Sequence, residues 1–122
     1  MSISMYSAAI PVFKQMLNSL HDVLAKAEAH ATARNIEADA LLQARIAKTL
    51  AFIDTLSAAQ IDGSETREIV LRPGTPKEKK LSGQAYLLAY GLPQFFFHVT
   101  TAYAILRHNG VEIGKKDFMG AY

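Results

Sequence analysis

Between Leu81 and Leu106 the chain runs for 26 residues without a formal charge. That is long enough to cross a bilayer as a helix. The residues themselves argue against lipid. Ser82, Gln84, Gln94, His98, Thr100 and Thr101 are spread along the stretch, and Gly91-Leu92-Pro93 interrupts its middle. A helix over about 83–108, buried on most sides by other helices, explains the same pattern in water. Such a helix cannot stand alone, so the rest of the chain must supply the faces that cover it.

Those faces are legible. From Ser7 to Arg34, Ile10, Phe13, Leu17, Leu20, Leu24, Ala27 and Ala31 recur at alternating spacings of three and four. This is a heptad seam suited to packing helix on helix. Ser7 is placed to cap it, with Pro11 near the first turn. A second, weaker seam of Val12, Met16 and Val23 predicts neighbours on two sides. After a short break at Asn35–Glu37, a second helix is expected over 38–56. Its stripe is Leu42, Ile46, Leu50, Ile53 and Leu56, widened by Phe52. A short link between helices favours antiparallel packing.

The pattern then changes. Asp62-Gly63 is a turn signal, Arg67–Leu71 has strand propensity, and Pro73-Gly74-Thr75-Pro76 forces a turn before Lys79-Lys80-Leu81. A small β-hairpin over 67–81 follows, with Lys77-Glu78-Lys79-Lys80 read as a solvated tip. Ser82 can cap the third helix, and Gly91 with Pro93 predicts a kink or break in it. Gly110 after Asn109 is the expected C′ residue. The tail from Val111 to Tyr122 reads as irregular, its Val111, Ile113 and Phe118 folding over a bundle end.

A length of 122 residues predicts one domain, 1–122. The 13 basic and 11 acidic residues leave a net charge of +2, too little to indicate a nucleic-acid or membrane-surface partner. Without cysteine there is no disulfide, thiolate zinc site or cysteine nucleophile. The first residues lack the basic region of a secretory signal. A cytoplasmic location is the expectation.

Little in the chain spells out chemistry. No phosphate-binding glycine loop, nucleophile elbow or catalytic carboxylate pair is present. His21 and His30 lie nine residues apart, on opposite sides of one helix, and both read as surface residues. His108 falls in a last helical turn, where a cation meets the negative dipole end. His98 stands out, because Tyr86, Tyr90, Gln94 and His98 are each four apart. In an unbroken helix they form one semi-polar ridge on an apolar element. Buried, that ridge must find hydrogen-bond partners. It can be structural, it can line a ligand pocket, or His98 can contribute to a metal site. A metal would need further ligands from other helices.

Two stretches carry a resemblance. Met5-Tyr6-Ser7-Ala8-Ala9-Ile10-Pro11-Val12-Phe13-Lys14-Gln15-Met16-Leu17 resembles the opening of an uncharacterised bacterial family. Leu92-Pro93-Gln94-Phe95-Phe96-Phe97-His98-Val99-Thr100-Thr101-Ala102-Tyr103, then Leu106-Arg107-His108-Asn109-Gly110-Val111 and Gly114-Lys115, resembles its closing signature. The family belongs to the DinB/YfiT-like superfamily. The resemblance implies an up-down four-helix bundle, commonly dimeric, with no established activity in this branch. Superfamily members of known chemistry hold a divalent metal on three histidines, two of them spaced His-x₃-His on the last long helix. Here those two positions are Gln94 and His98. Relatives also carry a further long helix between the counterparts of Gln43 and Ala44, which are adjacent in this chain.

The fold expected is therefore all-α: an up-down bundle one helix short, with a β-hairpin insertion. Three helices would leave an apolar groove, which a second copy could close, including by exchange of the second helix. The expected function is a homodimeric module binding a partner or small ligand, without catalysis and without a cofactor. The alternative is a metal-dependent (zinc or nickel) or thiol-transfer enzyme centred on His98.

Overall fold

Ser4, not Ser7, starts the first helix: its hydroxyl accepts the Ser7 N–H at 2.9 Å. Helix α1 spans Met5–Thr32 in the computed structural model, which describes residues 4–36 and 40–120. Pro11 consequently sits in the second turn, on an exposed face. Asn35, at a φ of 55°, takes the left-handed conformation just beyond the helix. Helix α2 spans Ala40–Asp54, and the start expected for it at Ala38 lies outside the described residues. Lys14 meets Asp54 at 2.5 Å, and Tyr6 N–H donates to Asp62 Oδ1 at 3.0 Å. The end of α2 thus lies beside the start of α1, and the two run antiparallel.

A short helix α3, Ala58–Ile61, was not legible as a helix. The Gln60 side chain holds its start by accepting the Ser57 N–H at 2.7 Å. Strands β1 (Glu68–Leu71) and β2 (Lys79–Ser82) form the expected antiparallel hairpin, with Ile69 opposite Leu81. Ser82 caps the following helix as predicted, its hydroxyl accepting the Ala85 N–H at 3.1 Å. At Gly83 a Cβ would overlap the Ser64 carbonyl oxygen, so only glycine lets the preceding loop cross this close.

From Gly83 to His108 the chain stays helical, as α4 (Gly83–Tyr86), a π-helical turn (Leu87–Gly91) and α5 (Leu92–His108). The helix is not broken at Gly91 and Pro93, and the irregularity expected there takes the form of this wide turn. Leu92 N–H donates to Leu87 O, five residues back. A proline ring collides with the carbonyl four residues before it and supplies no N–H. Widening the turn upstream of Pro93 relieves both problems without ending the helix. Gly110, at a φ of 92°, is the C′ residue, and Val111 N–H closes the cap on Leu106 O at 3.1 Å.

Phe13 pairs with Phe95, Ser19 with Tyr103 and His30 with Asn109, so α5 runs parallel to α1. The core lies between them and the tail. Met16, Val23, Val99, Tyr103, Val111 and Ile113 form its buried cluster. A fully buried aliphatic side chain of this kind contributes about 1.5–3 kcal/mol. Met16 and Val23 of the weaker seam therefore face inward, as does Ile10 of the regular seam, whereas Phe13, Leu17, Leu20, Leu24, Ala27 and Ala31 are only half-buried.

The tail does not lie over the bundle end and is not irregular: α6 spans Lys115–Met119 and packs along the middle of α1, against Gln15, Ser19 and Lys26. Asp117 accepts the Gly114 N–H at 2.8 Å and pairs with Lys26. Ser19, buried on α1, meets Tyr103 Oη at 2.6 Å and reaches the carbonyls of Asp117 and Phe118. Burial raises the Tyr103 phenol above its ordinary range. His30 is no surface residue either. Its Nε2–H donates to Asn109 O at 3.0 Å, while Nδ1 accepts from Arg34 at 3.0 Å. Among the described residues, no helix is long and apolar enough to cross a membrane.

Two outcomes follow from this packing. Gly83→Ala should destabilise the fold by about 2 kcal/mol or more in denaturant unfolding, because the obstacle is backbone. Asp117 is held below the usual carboxylate range, first by Lys26 and then by the Gly114 N–H. A carboxyl depressed in the folded state stabilises it above the unfolded value and loses that contribution as pH falls through the folded value. Protection of the tail amides, measured against their intrinsic exchange rates, should therefore fall below about pH 4, and Asp117→Asn should flatten that dependence.

Candidate functional site

Beside the core, and sharing Leu20, Phe95 and Val99 with it, α1 opens onto a groove of about 600 Å³. Phe13, Leu17 and Leu20 line it from α1, Thr49 and Ile53 from α2. Opposite stand Tyr86 of α4, Leu87 and Gly91 of the π-helical turn, and Gln94, Phe95, His98, Val99 and Ala102 of α5. The groove exists because α1 packs against both α2 and α5, while α2 and α5 share no extensive contact. Phe13 and Phe95 meet edge to face at its base, with ring centroids 4.7 Å apart. A space of this size matches ordinary small-molecule pockets.

Apolar side chains dominate the lining, and four groups bring polarity. Thr49 is already used, its Oγ1 donating to Arg45 O at 2.8 Å. Tyr86, Gln94 and His98 make no hydrogen bond within the described part of the chain. Gln94 and His98 are exposed rather than buried, so the structural-core reading of this pair fails. The His98 ring lies edge-on to Phe97, with centroids 5.4 Å apart.

The four-residue ridge is divided. Tyr86, Gln94 and His98 share the groove, but Tyr90 faces the hairpin and lines a separate cleft. A π-turn advances each residue through a smaller angle than an α-turn, so it shifts Tyr90 off the i+4 line. Tyr86 and Tyr90 still touch, their ring centroids 5.4 Å apart. Sequence spacing had no means of finding the turn.

The donor set does not fit a divalent metal. The groove offers one imidazole and no carboxylate, with an amide at the position four residues before His98. Among the described residues, no group of three histidine, cysteine, aspartate or glutamate side chains is gathered to hold a metal ion.

The family described as Domain of unknown function (DUF1993) matches this chain in two stretches, residues 5–48 and 40–119. Among solved structures, the chain is similar to the crystal structure of a DinB family member protein from Shewanella denitrificans. The two are 28% identical, with a TM-score of 0.85, over 97% of this chain and 93% of that one. No curated protein matches. The likeness covers the bundle and the hairpin together.

Exposed and unbonded, Gln94 and His98 should contribute little to the fold. His98→Ala and Gln94→Ala are each expected to change unfolding free energy by less than about 0.5 kcal/mol. Phe13→Ala, which removes the base of the groove, should cost about 2 kcal/mol or more in the same assay.

Proposed function

The chain belongs to the DUF1993 family, and from that premise we propose that it is a homodimeric, non-catalytic binding module whose groove is roofed by a second copy. The observation that carries this reading is the placement of the α1 seam. Phe13 and Leu17 of the regular seam line the open groove and stand outside the core cluster, and Leu20 lines the groove on one side while packing against the core on the other. Contiguous apolar surface of that kind marks an interface.

Helix α2 supports the same reading. Phe52 is 63% exposed and Leu42 is 47% exposed, although both belong to its apolar stripe. Gln43 Oε1 is buried without a hydrogen-bond partner among the described residues. The two family matches overlap over 40–48, inside α2. That overlap is expected if α2 joins the start of one family helix to the end of another and the wall between them is absent. A second copy supplies the wall, whether it docks whole or exchanges α2. The chamber left beneath would suit a small apolar ligand with one hydrogen-bonding group, directed at Tyr86, Gln94 and His98.

Light scattering over a dilution series tests the assembly. A mass of twice 13.4 kDa, unchanged to about micromolar concentration, is the expected result. Leu17→Glu should convert the dimer to monomer while far-ultraviolet circular dichroism stays helical. A wild-type monomer at micromolar concentration would overturn the proposal.

A further inference from the structure

The charge of this chain is not evenly spread. Residues 67–82 hold five basic and two acidic side chains, a net +3, whereas the whole chain carries only +2. The hairpin is thus the cationic part of a molecule that is otherwise slightly acidic. Read from sequence, its lysines form a solvated tip. In the fold, three of its cations gather around a cleft.

That cleft encloses about 240 Å³ between the hairpin and the π-helical turn. The exposed Arg72, Lys77 and Lys79 line it together with the apolar Leu71, Leu81 and Ala89 and the ring of Tyr90. None of the three cations is paired with an acid among the described residues. Lys80, outside the cleft, pairs with Glu68 at 3.6 Å. The nearest carboxylate in sequence, Glu78, is turned into the hairpin loop, where Gly74 N–H donates to its Oε2 at 2.7 Å. Arg72 is held at a φ of 50° just before Pro73, with Thr75 Oγ1 donating to its carbonyl oxygen at 2.9 Å. Such a conformation is costly for a residue with a side chain, and the surrounding loop has to maintain it.

Together these features select a ligand. Three unpaired cations favour a compact anion, to which arginine and lysine donate charge-assisted hydrogen bonds. The Tyr90 ring and the leucine walls favour an apolar, flat body beside that anion. The volume admits about one ring and its head group. We propose that this cleft binds a small organic anion, a single-ring phosphate or carboxylate, with its head on Arg72, Lys77 and Lys79 and its ring against Tyr90. The site is separate from the groove and does not depend on how the groove is closed. The two adjoin where the Tyr86 ring, in the groove, touches the Tyr90 ring, in the cleft.

Phenyl phosphate is a suitable probe, titrated calorimetrically into the full chain, with inorganic phosphate and phenol run beside it. Phenyl phosphate should bind more tightly than either fragment, and more weakly at about 0.5 M salt. Lys79→Ala and Lys77→Ala should each weaken it about tenfold, and Tyr90→Leu should weaken phenyl phosphate but not inorganic phosphate. Lys80→Ala should leave affinity unchanged, since that cation lies outside the cleft. Circular dichroism of each variant establishes that it folds. No binding at millimolar phenyl phosphate would overturn the proposal. So would equal losses in Lys80→Ala and Lys79→Ala, which would indicate general charge attraction, or equal affinity for inorganic phosphate, which would remove the role of the ring.

Discussion

Everything in this fold leans on one contact surface, the face of α1 that carries Met16 and Val23. Val99 and Tyr103 of α5 pack on it from one side, and Val111 and Ile113 of the tail close it from the end. Val23 is the most deeply buried of the large side chains, at 1% exposure. Because α1 is committed to α5 there, α5 runs parallel to it, and the hairpin becomes the connection that brings the chain back from the end of α2. The remaining face of α1 is then shared between α2 and the groove.

The polar groups within this core are few and are satisfied locally. Ser19 and Tyr103 exchange a hydrogen bond and reach two carbonyls of α6. A lone hydroxyl buried here would cost free energy, so the pair and the carbonyls have to arrive together. The tail is thereby fixed in register with the middle of α1. His30 makes the same kind of attachment at the other end of the contact, against the cap of α5. Gly110 allows it, since a Cβ there would stand 3.2 Å from the imidazole.

The π-helical turn organises what is left. It admits Pro93 without breaking the helix, and it divides a row of polar side chains between two sites. Tyr86 goes to the apolar groove and Tyr90 to the cationic cleft. One recess is greasy, wide and bordered by a few polar groups, and the other is small and positively charged. Their chemistry is complementary, and neither resembles a metal centre. Turns of this kind recur at functional sites because they re-aim side chains at little cost to the helix.

Features determined by near neighbours were legible in the sequence: three long helices, the hairpin, the Ser82 cap, the Gly110 stop, and the resemblance to a DinB-like family. Each rests on hydrogen bonds or periodicity within a few residues, which the order of amino acids states directly. Capping at Ser4 rather than Ser7 is a small exception, since both serines suit the role. Tertiary structure alone decided which residues of the two α1 seams are core and which line the open groove, that His98 and Gln94 are exposed, that Tyr90 leaves the ridge, and that three hairpin cations share a cleft. Two apolar seams of one helix look equivalent until a neighbour covers one of them. The choice belongs to packing between distant segments, and no local pattern encodes it.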